Sequence, residues 1–410
     1  MFERFISWMK RFPLFSCTLV IILAGLSACN QAAITSQIPI KIGVSVSVSG
    51  DFAADAKFTL QGYRLWADTV NKNGGLLGRP VQLVILNDDS TPERVKANYE
   101  QLIKVDHVDL TFGPFSTLLT KAARDVTHQY GYALLEGSGG GPSVFNGYNN
   151  IFDVSLPVVN NLVTSVLYIL SLPADIRPKT VAFATEDDPF TQPQIDLAKQ
   201  KLLAGGVTPV YYHVYPVDTT KDYRPFANAI AQTHADAVIL GTLLNDLTAF
   251  IMTFKQDNYT PKILVATAGP DQGDQFVKAV GLQNTEAVMV PNGWYPQAKN
   301  FQNYQMVQDY LAQYGGTINT ISSNVPEAYS AGQVLTQAVN KIHSIDNKAL
   351  IHELHDDTFS SLQGAVQFDE TGQNITALPY LFQWQKGKMI PVFPASVAVE
   401  NPEYPKPAGP

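Results

Sequence analysis

Cysteine is almost missing from these 410 residues: there are two, Cys17 and Cys29. With no CxxC pair, neither a zinc ribbon nor a thioredoxin-like redox site can be assembled. A chain of this length buries enough surface to fold without disulfides even when exported. Charge is scarce too, at 16% of residues, and it leans acidic, with a formal net charge of −8. No cluster of Lys and Arg occurs, so the electrostatic footprint that a phosphate backbone requires is missing, and nucleic acid is excluded as a partner. There is no GxxxxGK[ST], so any ATP hydrolysis must lie in another chain. The one long apolar run, residues 14–25, is shorter than the roughly 20 residues that span a bilayer.

That run sits inside a segment that reads as an address. Arg4, Lys10 and Arg11 come before it, and Leu26-Ser27-Ala28-Cys29 closes it with small residues ahead of a cysteine. Residues 1–28 read as a signal peptide. The closing tetrad resembles the bacterial lipobox, which implies that Cys29 is lipidated and becomes the first mature residue. Plain cleavage and a short membrane anchor are the alternatives. An acyl chain on Cys29 would hold the protein at a membrane with about 0.8 kcal/mol per buried methylene. The expected location is therefore outside the cytoplasm, facing the periplasm or the cell exterior. Residues 29–38 read as a polar tether, and residues 397–410, rich in proline, as a disordered tail.

From residue 40 onward, strand and helix patterns alternate. Apolar segments at 41–47, 81–87, 108–112 and 132–135 are separated by helical stretches at 58–71, 92–105 and 118–130. The rhythm restarts with strands at 180–185, 210–215, 237–240 and 262–266. Two segments echo each other: His107-Val108-Asp109-Leu110-Thr111-Phe112-Gly113 and His234-Ala235-Asp236-Ala237-Val238-Ile239-Leu240-Gly241. This predicts two α/β lobes of similar topology, each a doubly wound parallel sheet. The expected lobes are 39–157 plus 290–375, and 158–289 plus 376–396, joined by a multi-strand hinge. The late strand patterns at 365–369, 378–385 and 389–392 are expected to pair with the earlier sheets.

The pieces Ile40-Lys41-Ile42-Gly43-Val44, Asn73-Gly74-Gly75-Leu76-Leu77-Gly78-Arg79-Pro80-Val81, Asn87-Asp88-Asp89-Ser90 and Gly113-Pro114-Phe115-Ser116-Thr117 stand in characteristic order and spacing. With Ala328-Tyr329-Ser330-Ala331-Gly332-Gln333 and Tyr380-Leu381-Phe382-Gln383-Trp384-Gln385, they make nearly the whole mature chain similar to the branched-chain amino-acid type of periplasmic solute-binding proteins. The resemblance implies a type I binding-protein fold, a ligand in the cleft between the lobes, and the permease of an ABC importer as partner. It implies no cofactor.

In open α/β sheets, ligands bind beyond the carboxyl ends of strands, where helix N-termini offer free N–H groups. Ser116 and Thr117 sit at such a point, and the resemblance implies that Thr117 binds a ligand carboxylate. As helix N-caps they would need no ligand at all. Ser138, Gly139 and Gly140 follow the next strand, as either a second ligand loop or a flexible connector. Phe190 matches an aromatic lid of the family, or else is a core residue. Tyr329 and Trp294 are weaker cleft candidates. Asp55 stands where the family often has an aromatic residue. The acidic residue that holds a ligand ammonium is missing from its usual place, and Asp271 follows a few positions later. Either Asp271 reaches the cleft or the ligand has no α-ammonium, since an unpaired buried ammonium costs several kcal/mol.

Other chemistry finds little support. His352-Glu353-Leu354-His355 is not HExxH and reads as an exposed helix end. Asp187-Asp188 and Asp356-Asp357 read as loop charges. Gly137-Ser138-Gly139 is not a GxSxG elbow, which weakens the alternative of an α/β hydrolase. The expectation is a lipid-anchored receptor, not an enzyme, that closes on an amino acid or a related carboxylate or amide. A sensor of the same fold is the nearer alternative.

Overall fold

The computed structural model describes residues 38–408 apart from 218, 377 and 378. The signal peptide, Cys29 and the tether up to residue 37 lie outside the described residues.

The first sheet holds β1 (Ile40–Val46), β2 (Val81–Asn87), β3 (Leu110–Phe112), β4 (Leu134–Glu136) and β5 (Ile151–Asp153), in the order β2-β1-β3-β4-β5. Every pairing is parallel. Helices α1 (Ala53–Lys72), α2 (Pro92–Lys104) and α3 (Thr117–Tyr130) connect its strands. Local chemistry sets their ends. Pro92 opens α2, where the missing N–H costs nothing, and Gly131 closes α3 in the left-handed region at φ 73°. β1 is buried on both faces, as expected of a covered parallel sheet.

After α4 (Val163–Ser171) the pattern repeats through β6 (Thr180–Glu186), α5 (Thr191–Ala204), β7 (Thr208–Tyr215), α6 (Arg224–Thr233), β8 (Ala237–Gly241), α7 (Leu244–Gln256) and β9 (Ile263–Ala266). Two short helices, α8 (Asp274–Val280) and α9 (Leu282–Thr285), lead into β10 (Val288–Asn292). Sheet order is β7-β6-β8-β9-β10, the same as in the first lobe. The echo in the sequence is a structural repeat. His107 and His234 both turn through positive φ. Asp109 then accepts the Lys41 N–H, and Asp236 accepts the Lys179 N–H, each at 2.8 Å. In both lobes this pins the start of the central strand to the head of its neighbour.

The chain then returns to the first lobe with α10 (Asn303–Tyr314), α11 (Asn324–Ile342) and α12 (Asn347–Asp356), and with a hairpin of β11 (Thr358–Ser361) and β12 (Gly364–Gln367). It crosses once more to add β13 (Tyr380–Gln385) and β14 (Lys388–Phe393), both antiparallel, to the second sheet. Two of the crossing segments are tied together, because Asn374 donates to the Val154 carbonyl at 2.9 Å and Asp153 N donates to Gly372 O at 3.0 Å. Here the structure departs from one expectation: the strand predicted at 365–369 joins neither main sheet, pairing instead with β11 and, at Phe368, with Asn374. Gly364 at positive φ turns the chain straight back on itself.

The expected disordered tail is another correction. Lys406 N donates to Lys262 O at 2.8 Å, Gln383 donates to Glu403 O at 2.9 Å, and Tyr404 packs on the second lobe's core. Proline gives this stretch an extended shape but does not deprive its other residues of partners.

Candidate functional site

Residues just beyond the carboxyl ends of β3, β4 and β5 in one sheet, and of β6, β8, β9 and β10 in the other, enclose a cavity of about 90 Å³. Its rim is closed by hydrogen bonds from lobe to lobe. Ser323 donates to Asp271 at 2.5 Å, Ser322 to Gln272 at 2.6 Å, and Lys57 to Gln275 at 3.2 Å.

The structure brings Ser116, Thr117, Ser138, Gly139, Gly140, Phe190 and Asp271 into the wall of this one cavity. Ser116 caps α3, its hydroxyl accepting the Leu119 N–H at 3.3 Å, and holds φ 79°, a costly region for a residue with a Cβ. Phe190 is only half-buried, so it is a wall residue and not part of the core. Tyr329 is a correction. It is 1% exposed and lies in the first lobe's core, because its position on α11 faces α1 and not the cleft. Trp294 is likewise a packing residue, its indole N–H donating to Asn303 at 2.6 Å.

Part of this loop is bonded to the protein itself, but Ser116 and Thr117 use their hydroxyl oxygens as acceptors, and their O–H groups have no acceptor among the described residues. Thr117 Oγ1 accepts the Gly141 N–H at 3.1 Å, and Ser116 N donates to Ser138 O at 3.0 Å. Ser138 donates twice to carboxyl groups: its N–H to Glu136 and its hydroxyl to Glu327 at 3.0 Å. The glycines are required by that crowding, since a Cβ on Gly140 would strike the Asp153 carboxyl.

Acceptors dominate the wall instead. Asp55, Asp153 and Glu327 come from the first lobe, Asp188 and Asp271 from the second, and no Lys, Arg or His is among the described lining residues. Burial, aided by the Asp271 carboxylate, pushes Asp55 up to about 7, and burial does the same to Asp153. Glu327, Asp271 and Asp188 are also raised, with burial the main cause in each. Behind the wall, buried Glu136 is raised by desolvation and by its neighbour Asp153. No group of three or more His, Cys, Asp or Glu among the described residues is placed to hold a metal ion.

Sequence patterns alone miss much of this. They do not single out Asp153 or Glu327, and Asp188 reads from them as a loop charge. Asp153 and Asp188 sit at or just past the ends of buried strands, which is the available signal.

Two lobes of equal topology with a walled cavity at their facing strand ends define a cleft-binding receptor scaffold. The chain belongs to the periplasmic binding protein family, which matches residues 39–388. A Leu/Ile/Val-binding protein homologue of Brucella melitensis is 23% identical, over 94% of this chain and 99% of its own. Among solved structures, the branched-chain amino acid transporter substrate-binding protein of Streptococcus pneumoniae, in complex with isoleucine, superposes with a TM-score of 0.75. That match has 16% identity and covers 86% of this chain and 98% of the other. An R. palustris ABC-transporter solute-binding protein in complex with benzoate also gives 0.75, at 17% identity over 90% and 99%.

Proposed function

We propose that this protein is an extracytoplasmic receptor that captures a small polar solute between its lobes and delivers it to the permease of an ABC importer. The observation that carries the reading is the enclosed cavity, walled by strand ends of both lobes and sealed by bonds across its rim. Contacts to both lobes favour the closed form, so a solute shifts the hinge equilibrium toward closure, as is general among periplasmic binding proteins. The names of the relatives bring the amino-acid and carboxylate class to this chain, with amides as near relations. Asp271 in the wall supplies the acid that an ammonium requires. The protein acts by binding, without chemistry on its solute and without a cofactor. Lipidation at Cys29 holds it at the membrane. No helix among the described residues is long and apolar enough to cross a membrane.

The test is a thermal-shift screen of amino acids, amides, aromatic acids and amines. A true solute at 100 times its Kd adds about 2.7 kcal/mol of stability. Turnover of a compound without any shift would contradict the receptor reading. Binding without stimulation of transport would favour a sensor.

A further inference from the structure

We infer that the solute is a small organic cation with N–H donors, whose positive charge exceeds its negative charge, held between carboxyl groups of both lobes. This rests on the receptor reading, and it replaces the solute class that the relatives' names supply with one read from the cavity wall. Five carboxyl side chains line the cavity, and nothing basic among the described residues lines it. Asp55 is 6% exposed, and its carboxyl has no hydrogen-bond partner among the described residues, so its acceptors face the cavity unfilled. Asp188 and Asp153 each keep one oxygen without a protein donor, while the other accepts a nearby backbone N–H. A carboxylate solute would meet Asp153 and Glu327 at the Ser138–Gly140 loop, like charge against like, with no basic side chain among the described lining residues to offset it. An ammonium or guanidinium nitrogen would instead find carboxyl acceptors from both lobes, with Phe52, Phe115 and Phe190 also in the wall. A bare metal ion fits poorly, because the carboxyls do not converge as a ligand set.

The same arrangement gates closure. The Asp271 carboxylate on one lobe raises the cost of ionising Asp55 on the other, so an empty cleft with both ionised pushes its walls apart. A cation between them removes that repulsion and joins the lobes. The groups facing it are Asp55 on α1, Glu327 on α11, Asp153 at the end of β5, Asp188 after β6 and Asp271 after β9, with Glu136 behind. Lys57 is the nearby cation, and it lowers Asp55 only as the smallest of three causes. Binding must therefore expel protons that the empty site holds.

Calorimetry on the mature chain with propylamine, putrescine, agmatine, leucine and benzoate tests this in two buffers of different ionisation enthalpy. At least one of the three amines should bind about 100-fold or more tighter than leucine or benzoate and release protons at pH 6. Its affinity should fall about tenfold from pH 8 to pH 6 for each carboxyl near 7 that must ionise. Asp55→Asn removes charge without removing a hydrogen bond, so it should fold normally and lose at least tenfold in amine affinity. Glu327→Gln should lose affinity as well. Leucine or benzoate binding while all three amines fail would overturn the cation assignment and leave the receptor reading standing. Failure of every compound to bind or to shift the melt would overturn both.

Discussion

The carboxyl of Asp55 is desolvated, has no partner among the described residues, and is pushed up to about 7 from an ordinary 3.8. Between those values the folded state keeps a proton that the unfolded chain has lost. The stabilising contribution is therefore full below about pH 4 and is lost as pH rises through 7, by an amount on the order of a few kcal/mol. The ligand-free protein should melt at a higher temperature at pH 5 than at pH 8, and Asp55→Asn should flatten that slope. A melting temperature that rises from pH 5 to pH 8 would contradict it. The places of Ser116, Thr117, Ser138 and Asp271 in the cavity wall are legible in the sequence, because residues following buried strands in an α/β sheet lie at its carboxyl end. That the Ser138 donors are spent on Glu136 and Glu327 is not legible, since Glu327 lies far along the chain from the loop it meets. Asp55 is visible there only as a departure from a family pattern. Tyr329 shows the opposite error, a motif residue whose helix face points into the core.

At the scale of elements, α1 and α11 pack closely because glycine permits it. A Cβ on Gly62 would meet the Val325 carbonyl, and one on Gly332 would enter the indole ring of Trp66. Trp66 cannot swing aside, as its N–H is bonded to Thr336 at 3.0 Å and the residue is 1% exposed. Gly332→Ala gains helix propensity worth up to about 1 kcal/mol. Overpacking costs about 1–3 kcal/mol, so the clash should win. Denaturant unfolding should show a net loss; a gain would mean that the helices separate freely. Most elements are legible because buried parallel strands read as apolar runs and the glycine and proline stops are local. The β11–β12 hairpin and the tail are not, because their partners are decided by what the earlier lobes leave uncovered. The histidine–aspartate echo is legible for a physical reason: both lobes use the same turn to hold their central strands.

At the scale of the whole molecule, two lobes wall one cavity. Bonds from Ser322 and Ser323 to Gln272 and Asp271 join the lobes beside the cavity. Removing them as Ser322→Ala with Ser323→Ala should weaken solute affinity several-fold through the closed state, each neutral bond being worth about 1 kcal/mol and those to a charged carboxylate somewhat more. Equilibrium titration would show this as a raised Kd with an unchanged melting curve for the empty protein. A drop in the empty protein's stability with no change in Kd would place the bonds outside closure.

The most direct test of a cleft that shuts on its solute is small-angle X-ray scattering of the mature chain, alone and saturated with the compound that shifts its melt most. The radius of gyration should fall on saturation, and the bound curve should match the closed arrangement of the lobes. A compound that binds at full occupancy in this cavity and leaves the scattering profile unchanged would contradict the account.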